Sequence, residues 1–163
     1  MCSSDLDYHE DHHHCAPLFR PGDFGSLEIH RSLTESPYAD ILPTEIGLAE
    51  AQPLAFPGLS MKALSPTHRL LHNILHSQLV DHNYADGIIP LRSLHEVVTE
   101  SAARQNKVDW SIIQCRMDQF NRGNVLRAYL YMADRLFGMS SRVGIEKTLL
   151  SPLYYQRCCA QLS

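Results

Sequence analysis

Ser65-Pro66-Thr67-His68-Arg69-Leu70-Leu71-His72-Asn73-Ile74-Leu75-His76-Ser77-Gln78-Leu79-Val80 is the stretch that decides the fold. Ser65 is a helix N-cap residue, and Pro66 sits at the first helical position, where its missing N–H removes nothing the helix would use. Leu71, Ile74, Leu75 and Leu79 then recur at steps of three and four, which predicts an amphipathic helix running to about Val80. A helix apolar on one side has to bury that side against partners, and the downstream sequence supplies them. After a polar loop from Asp81 to Gly87, Leu91, Leu94, Val97 and Val98 mark a second helix starting near Pro90. Asp109 caps a third that carries Trp110, Ile113, Met117 and Phe120. Asn121-Arg122-Gly123-Asn124 interrupts the pattern. Val125, Tyr129, Met132, Ala133, Leu136 and Phe137 then form a fourth helix, stopped by Gly138. Ser151-Pro152 reads as one more capped start, opening a short helix through Leu162. Residues 65–163 are therefore expected to form a small helical bundle.

Upstream the period changes. Residues 7–33 suggest a β-hairpin, with one arm near His12 to Phe19, a turn through Arg20-Pro21-Gly22-Asp23, and a second arm from Ser26 to Leu33. Along the second arm Leu27 and Ile29 point one way while Glu28 and His30 point the other, so a carboxylate and an imidazole are displayed together. Pro37, Pro43, Pro53 and Pro57 break any long helix, and residues 34–64 read as a linker with short extended pieces, of which Leu59 to Ala63 is one. The class expected is α+β: a short hairpin and Pro-rich linker over residues 7–64, then the helical domain.

The 163 residues are 44% hydrophobic and 20% charged, with a formal net charge of −4. That balance is globular, and it lacks the basic excess that nucleic-acid readers usually carry. The five cysteines are unspaced and include no C-x-x-C pair, which fits a reducing compartment. With no long apolar run and an acidic, His-rich start, a cytoplasmic protein is expected.

Met1-Cys2-Ser3-Ser4-Asp5-Leu6 agrees at every position with the translation of GTGTGCTCTTCCGATCT, the end of a common sequencing adaptor read from a GTG start. Residues 1–6 are accordingly expected to be adaptor, with the natural protein continuing upstream of Asp7. Asp5-Leu6-Asp7 has the acidic-x-acidic form that puts two carboxylates on one strand face to hold Mg²⁺. On the adaptor reading it is a decoy.

Other constellations have plainer readings. His9, His12, His13 and His14 with Asp11 and Cys15 invite a zinc site, but strand alternation sends His13 away from His12 and His14. His68, His72 and His76 form a row along the first helix. His72-Asn73-Ile74-Leu75-His76 differs from the zinc-protease helix at its general base, because Asn73 cannot take a proton from bound water. Hydrogen-bonded histidines at an interface are expected there, and Tyr129, Tyr131, Tyr154 and Tyr155 read as packing aromatics.

Pro17-Leu18-Phe19-Arg20-Pro21-Gly22, then Leu27-Glu28-Ile29-His30-Arg31-Ser32-Leu33, then Leu64-Ser65-Pro66 with Leu70, Leu71 and His76, come in an order and spacing that resembles the carboxy-terminal portion of the uncharacterised nucleotidyltransferase family. Arg31 stands where that family often has tryptophan, and Glu96 where it usually has aspartate. The resemblance implies a polymerase-β-like nucleotidyltransferase fold followed by helices. It also implies transfer of a nucleoside monophosphate from an NTP to an acceptor, with Mg²⁺ held by three carboxylates. Two of these and a glycine-rich turn belong upstream in the family. The third maps to Glu28, with His30 placed to orient it or a phosphate, so the chain alone is expected to be inactive. A different class, a non-catalytic helical interaction module whose hairpin merely completes a core, also fits. Acceptor, base preference and oligomeric state stay open.

Overall fold

A computed structural model describes residues 15, 17–22, 24–103, 107–139, 143 and 148–161. The fold is α+β, with two small antiparallel hairpins followed by a helical body. In the first hairpin β1 (Leu18–Phe19) pairs with β2 (Ser26–Leu27), Leu18 opposite Leu27, and the Cys15 N–H donates to the Ile29 carbonyl at 2.7 Å. The regular arms are shorter than the alternation predicts. The residues between 33 and 43 are no free linker, since Ile41 and Leu42 are 1% and 2% exposed and belong to the same core as the helices. Arg116 fastens this segment by donating from its Nε to the Ile41 carbonyl at 2.9 Å.

The Pro-rich stretch holds more regular structure than short extended pieces. A six-residue helix α1 (Thr44–Ala49) starts directly after Pro43, and a ribbon of β3 (Gln52–Phe56) and β4 (Leu59–Ala63) turns through Gly58 at φ +78°. Pro53 is tolerated because a two-stranded ribbon is all edge, so a strand proline need not break a ladder bond. The expected strand from Leu59 to Ala63 is present. In the ribbon Leu54 faces Met61 and Phe56 faces Leu59, and all four remain exposed.

The helical body follows the apolar periods. Helix α2 (Pro66–Leu75) begins as expected, with the Ser65 hydroxyl accepting from the His68 N–H at 3.3 Å. It does not continue as α-helix to Val80. His76–Val80 widen into a π-helical turn, closed by Asp81 N–H to the His76 carbonyl at 2.8 Å, and Ser77, Gln78 and Leu79 are buried in succession. The predicted loop after it contains a short helix α3 (Asn83–Asp86), entered through His82 at φ 56°. Helix α4 (Leu91–Ala102) and helix α5 (Trp110–Gln119) match their stripes, and the Asp109 carboxylate caps α5 by accepting from the N–H groups of Ser111 and Ile112. Helix α6 (Gly123–Phe137) ends at Gly138, whose φ of +69° is the left-handed cap that glycine adopts without a Cβ penalty. Helix α7 (Leu150–Ala160) packs on α6 and starts two residues earlier than the Ser-Pro signal implied, so Ser151 lies inside the helix and caps nothing.

The core is the meeting of these stripes: Leu71, Ile74 and Leu75 of α2, Leu94 and Val97 of α4, Ile113 and Met117 of α5, and Tyr129 and Met132 of α6. Each is at most 1% exposed. Full burial of one such side chain contributes about 1.5–3 kcal/mol, so four converging stripes hold the body together.

Candidate functional site

Glu28 and His30 lie just past β2 on its extended continuation, and both are exposed. Leu27 and Ile29, on the alternate positions, are 63% and 46% exposed. Among the described residues no group of three or more His, Cys, Asp or Glu could hold a metal ion. Glu28 offers one carboxylate ligand. The tract from His9 to His14 falls outside the described residues, as does Asp5-Leu6-Asp7.

The three histidines of the row have different polar partners, and the rings of His72 and His76 also lie 5.9 Å apart. His68 is buried, and its Nδ1 is 3.7 Å from Glu50. His72 is within hydrogen-bond distance of the Leu33 carbonyl, 2.8 Å from its Nε2, which ties α2 to the segment after the hairpin. His76 contacts Asp81 at 3.3 Å across the π turn. The interface role expected of them holds for His72, although its partner is a loop carbonyl and not a second helix.

A site the sequence reading did not assemble lies at the α2–α4 junction. Positions 69, 72, 73 and 76 fall on one flank of α2, and with the π turn and the first turns of α4 they line a cleft of about 630 Å³. Its floor is a polar triad. The Asn73 amide donates from Nδ2 to Glu96 at 2.8 Å, and its Oδ1 accepts from the Ser93 hydroxyl at 2.6 Å and the Tyr129 hydroxyl at 3.0 Å. The Glu96 carboxylate accepts only, which fixes the orientation of the Asn73 amide. Burial raises the Tyr129 hydroxyl pKa well above its usual value, so the group stays a neutral donor. Tyr129 therefore packs, as expected, and also carries the triad. Arg92 adds an ion pair to Glu96 at 3.1 Å, and Arg69 one to Glu100 at 2.6 Å. The available signal was Arg69, His72, Asn73 and His76 at helical spacing on the side opposite the apolar stripe, a pattern that solvated helices share.

Residues 3–138 match the family model described as uncharacterised nucleotidyltransferase, and the chain belongs to that family. No curated protein and no solved structure gives a significant match. None of the described helices is long and apolar enough to cross a membrane.

Proposed function

We propose that this chain contributes to the transfer of a nucleoside monophosphate from an NTP to an acceptor, with Glu28 as the third Mg²⁺ carboxylate, His30 orienting it, and the helical body shaping the acceptor side. The family match over residues 3–138 carries the reading. The exposed position of Glu28, with His30 two residues on along an extended segment, supports it. Two metals need more than one carboxylate, so the 163 residues alone are expected to transfer nothing. Pyrophosphate release from NTP and Mg²⁺ by the purified chain would overturn that expectation. In a gene product whose reading frame extends upstream of Asp7 through a Gly-Gly or Gly-Ser turn and an acidic-x-acidic strand, Glu28→Gln should lower transfer about 100-fold or more. Unchanged transfer removes Glu28 from the chemistry.

One observation favours the second reading, a non-catalytic interaction module. Leu54, Phe56, Leu59 and Met61 make an apolar ribbon face that the described residues leave exposed. A stop codon immediately ahead of Asp7 in an intact genomic copy would select it.

A further inference from the structure

We propose that the cleft between α2, the π turn and α4 binds the phosphate group of a small molecule, gripped by Arg69 and Arg92 with His72 and His76 beside them. The inference deepens the nucleotidyl-transfer reading, on which it rests for the ligand's source: the NTP itself or a phosphorylated acceptor. Four side chains able to carry positive charge line one cleft, two from a single flank of α2, one from the start of the π turn and one from the first turn of α4. A cleft of about 630 Å³ accommodates a phosphate ester together with its organic part.

The ion pairs already present decide which ligand charge fits. Arg92 uses only Nε, toward Glu96, and its side chain is 94% exposed. An exposed i,i+4 pair of this kind is weak, so an incoming phosphate displaces it at little cost. A bidentate guanidinium–phosphate contact is stronger. Glu96 has both carboxylate oxygens engaged, one by Arg92 and one by Asn73, and offers a cationic ligand correspondingly little. Arg69 donates to Glu100 through one terminal nitrogen. Glu100 thereby anchors the guanidinium beside the cleft while donors remain for an anion. The Asp81 contact holds the His76 ring at the same wall.

Backbone amide NMR of the ¹⁵N-labelled 163-residue chain tests the proposal, with titrations of inorganic phosphate, glycerol 3-phosphate and Mg-ATP against sodium chloride at matched ionic strength. Saturable shifts confined to α2, the π turn and the start of α4 are expected, absent with chloride. Arg92→Gln should weaken binding about tenfold, and adding Arg69→Gln should abolish it. Arg92 is so exposed that its variant keeps the fold, which unchanged far-UV circular dichroism verifies. Tighter binding of glycerol 3-phosphate than of Mg-ATP assigns the site to the acceptor, and the reverse order to the nucleotide. No saturable shift, or binding indifferent to both arginines, overturns the proposal. Binding is read without turnover, so the catalytic reading can fail, with Glu28→Gln leaving transfer by the extended gene product unchanged, while phosphate binding in this cleft still holds.

Discussion

Truncating Asn73 to alanine should cost about twice as much stability as removing the Tyr129 hydroxyl, and the two changes should not add. The oxygens of Ser93, Tyr129 and Asn73 form a triangle with edges of 2.6, 2.6 and 3.0 Å. Three edges need three hydrogens, but the two hydroxyls hold only two, so two bonds exist at any moment. Tyr129→Phe leaves Ser93 donating to Asn73, loses one neutral bond and strands no donor, for about 1 kcal/mol. Asn73→Ala leaves one bond between the hydroxyls, takes the Asn73 acceptor away from the second hydrogen, and also loses the bond to Glu96. Discounting that exposed bond, the total is about 2 kcal/mol. Once Asn73 is gone, the Tyr129 hydroxyl keeps only its Ser93 and Ser77 neighbours, so the double variant should fall short of the sum by about 0.5 kcal/mol or more. Urea unfolding followed at the helix circular dichroism band gives all four stabilities. Strict additivity, or a Tyr129→Phe cost equal to that of Asn73→Ala, would refute a shared-proton triad.

Leu42→Ala should destabilise the protein by about 2–4 kcal/mol, because the side chain is 2% exposed within the helical core. A urea midpoint shift equivalent to under about 0.5 kcal/mol, the range of surface substitutions, would return the segment to linker status. Asp109→Asn should keep the α5 cap and remove a pH dependence. The Ser111 hydroxyl and the Ile112 N–H hold the Asp109 carboxyl pKa below its ordinary 3.8. Its stabilising contribution is thus present above that value and is lost as the pH falls through the lowered native pKa. The difference in urea midpoint between wild type and variant should shrink on acidification through this window, and a constant difference contradicts the assignment.

Where a signal is local, the sequence carried it. Ser65-Pro66 started α2 and Asp109 started α5 by hydrogen bonds made within three residues, and Gly138 ended α6 through its own φ. The Pro-rich stretch misled because proline was read only as a breaker: Pro43 stands immediately before α1, and Pro53 lies in a ribbon with no inner strand. Ile41 and Leu42 could not be recognised as core, since what buries them includes helices up to 75 positions away, as the Arg116 bond to Ile41 shows. Glu28 and His30 are exposed, but so are Leu27 and Ile29 on the alternate positions, so alternation does not by itself set the two apart. The cleft was not legible, because Asn73, Ser93 and Tyr129 meet only when α2, α4 and α6 have packed.

The π turn at His76–Val80 has a bearing on how relatives should be aligned. Its backbone closes from the Asp81 N–H to the His76 carbonyl, five residues back, one more than the turn of an α-helix spans. A homologue with one residue fewer here would close into regular α-helix and keep the same register on either side. A single-position gap in this stretch is therefore a conformational marker, and forcing ungapped columns across it would misassign every cleft residue that follows.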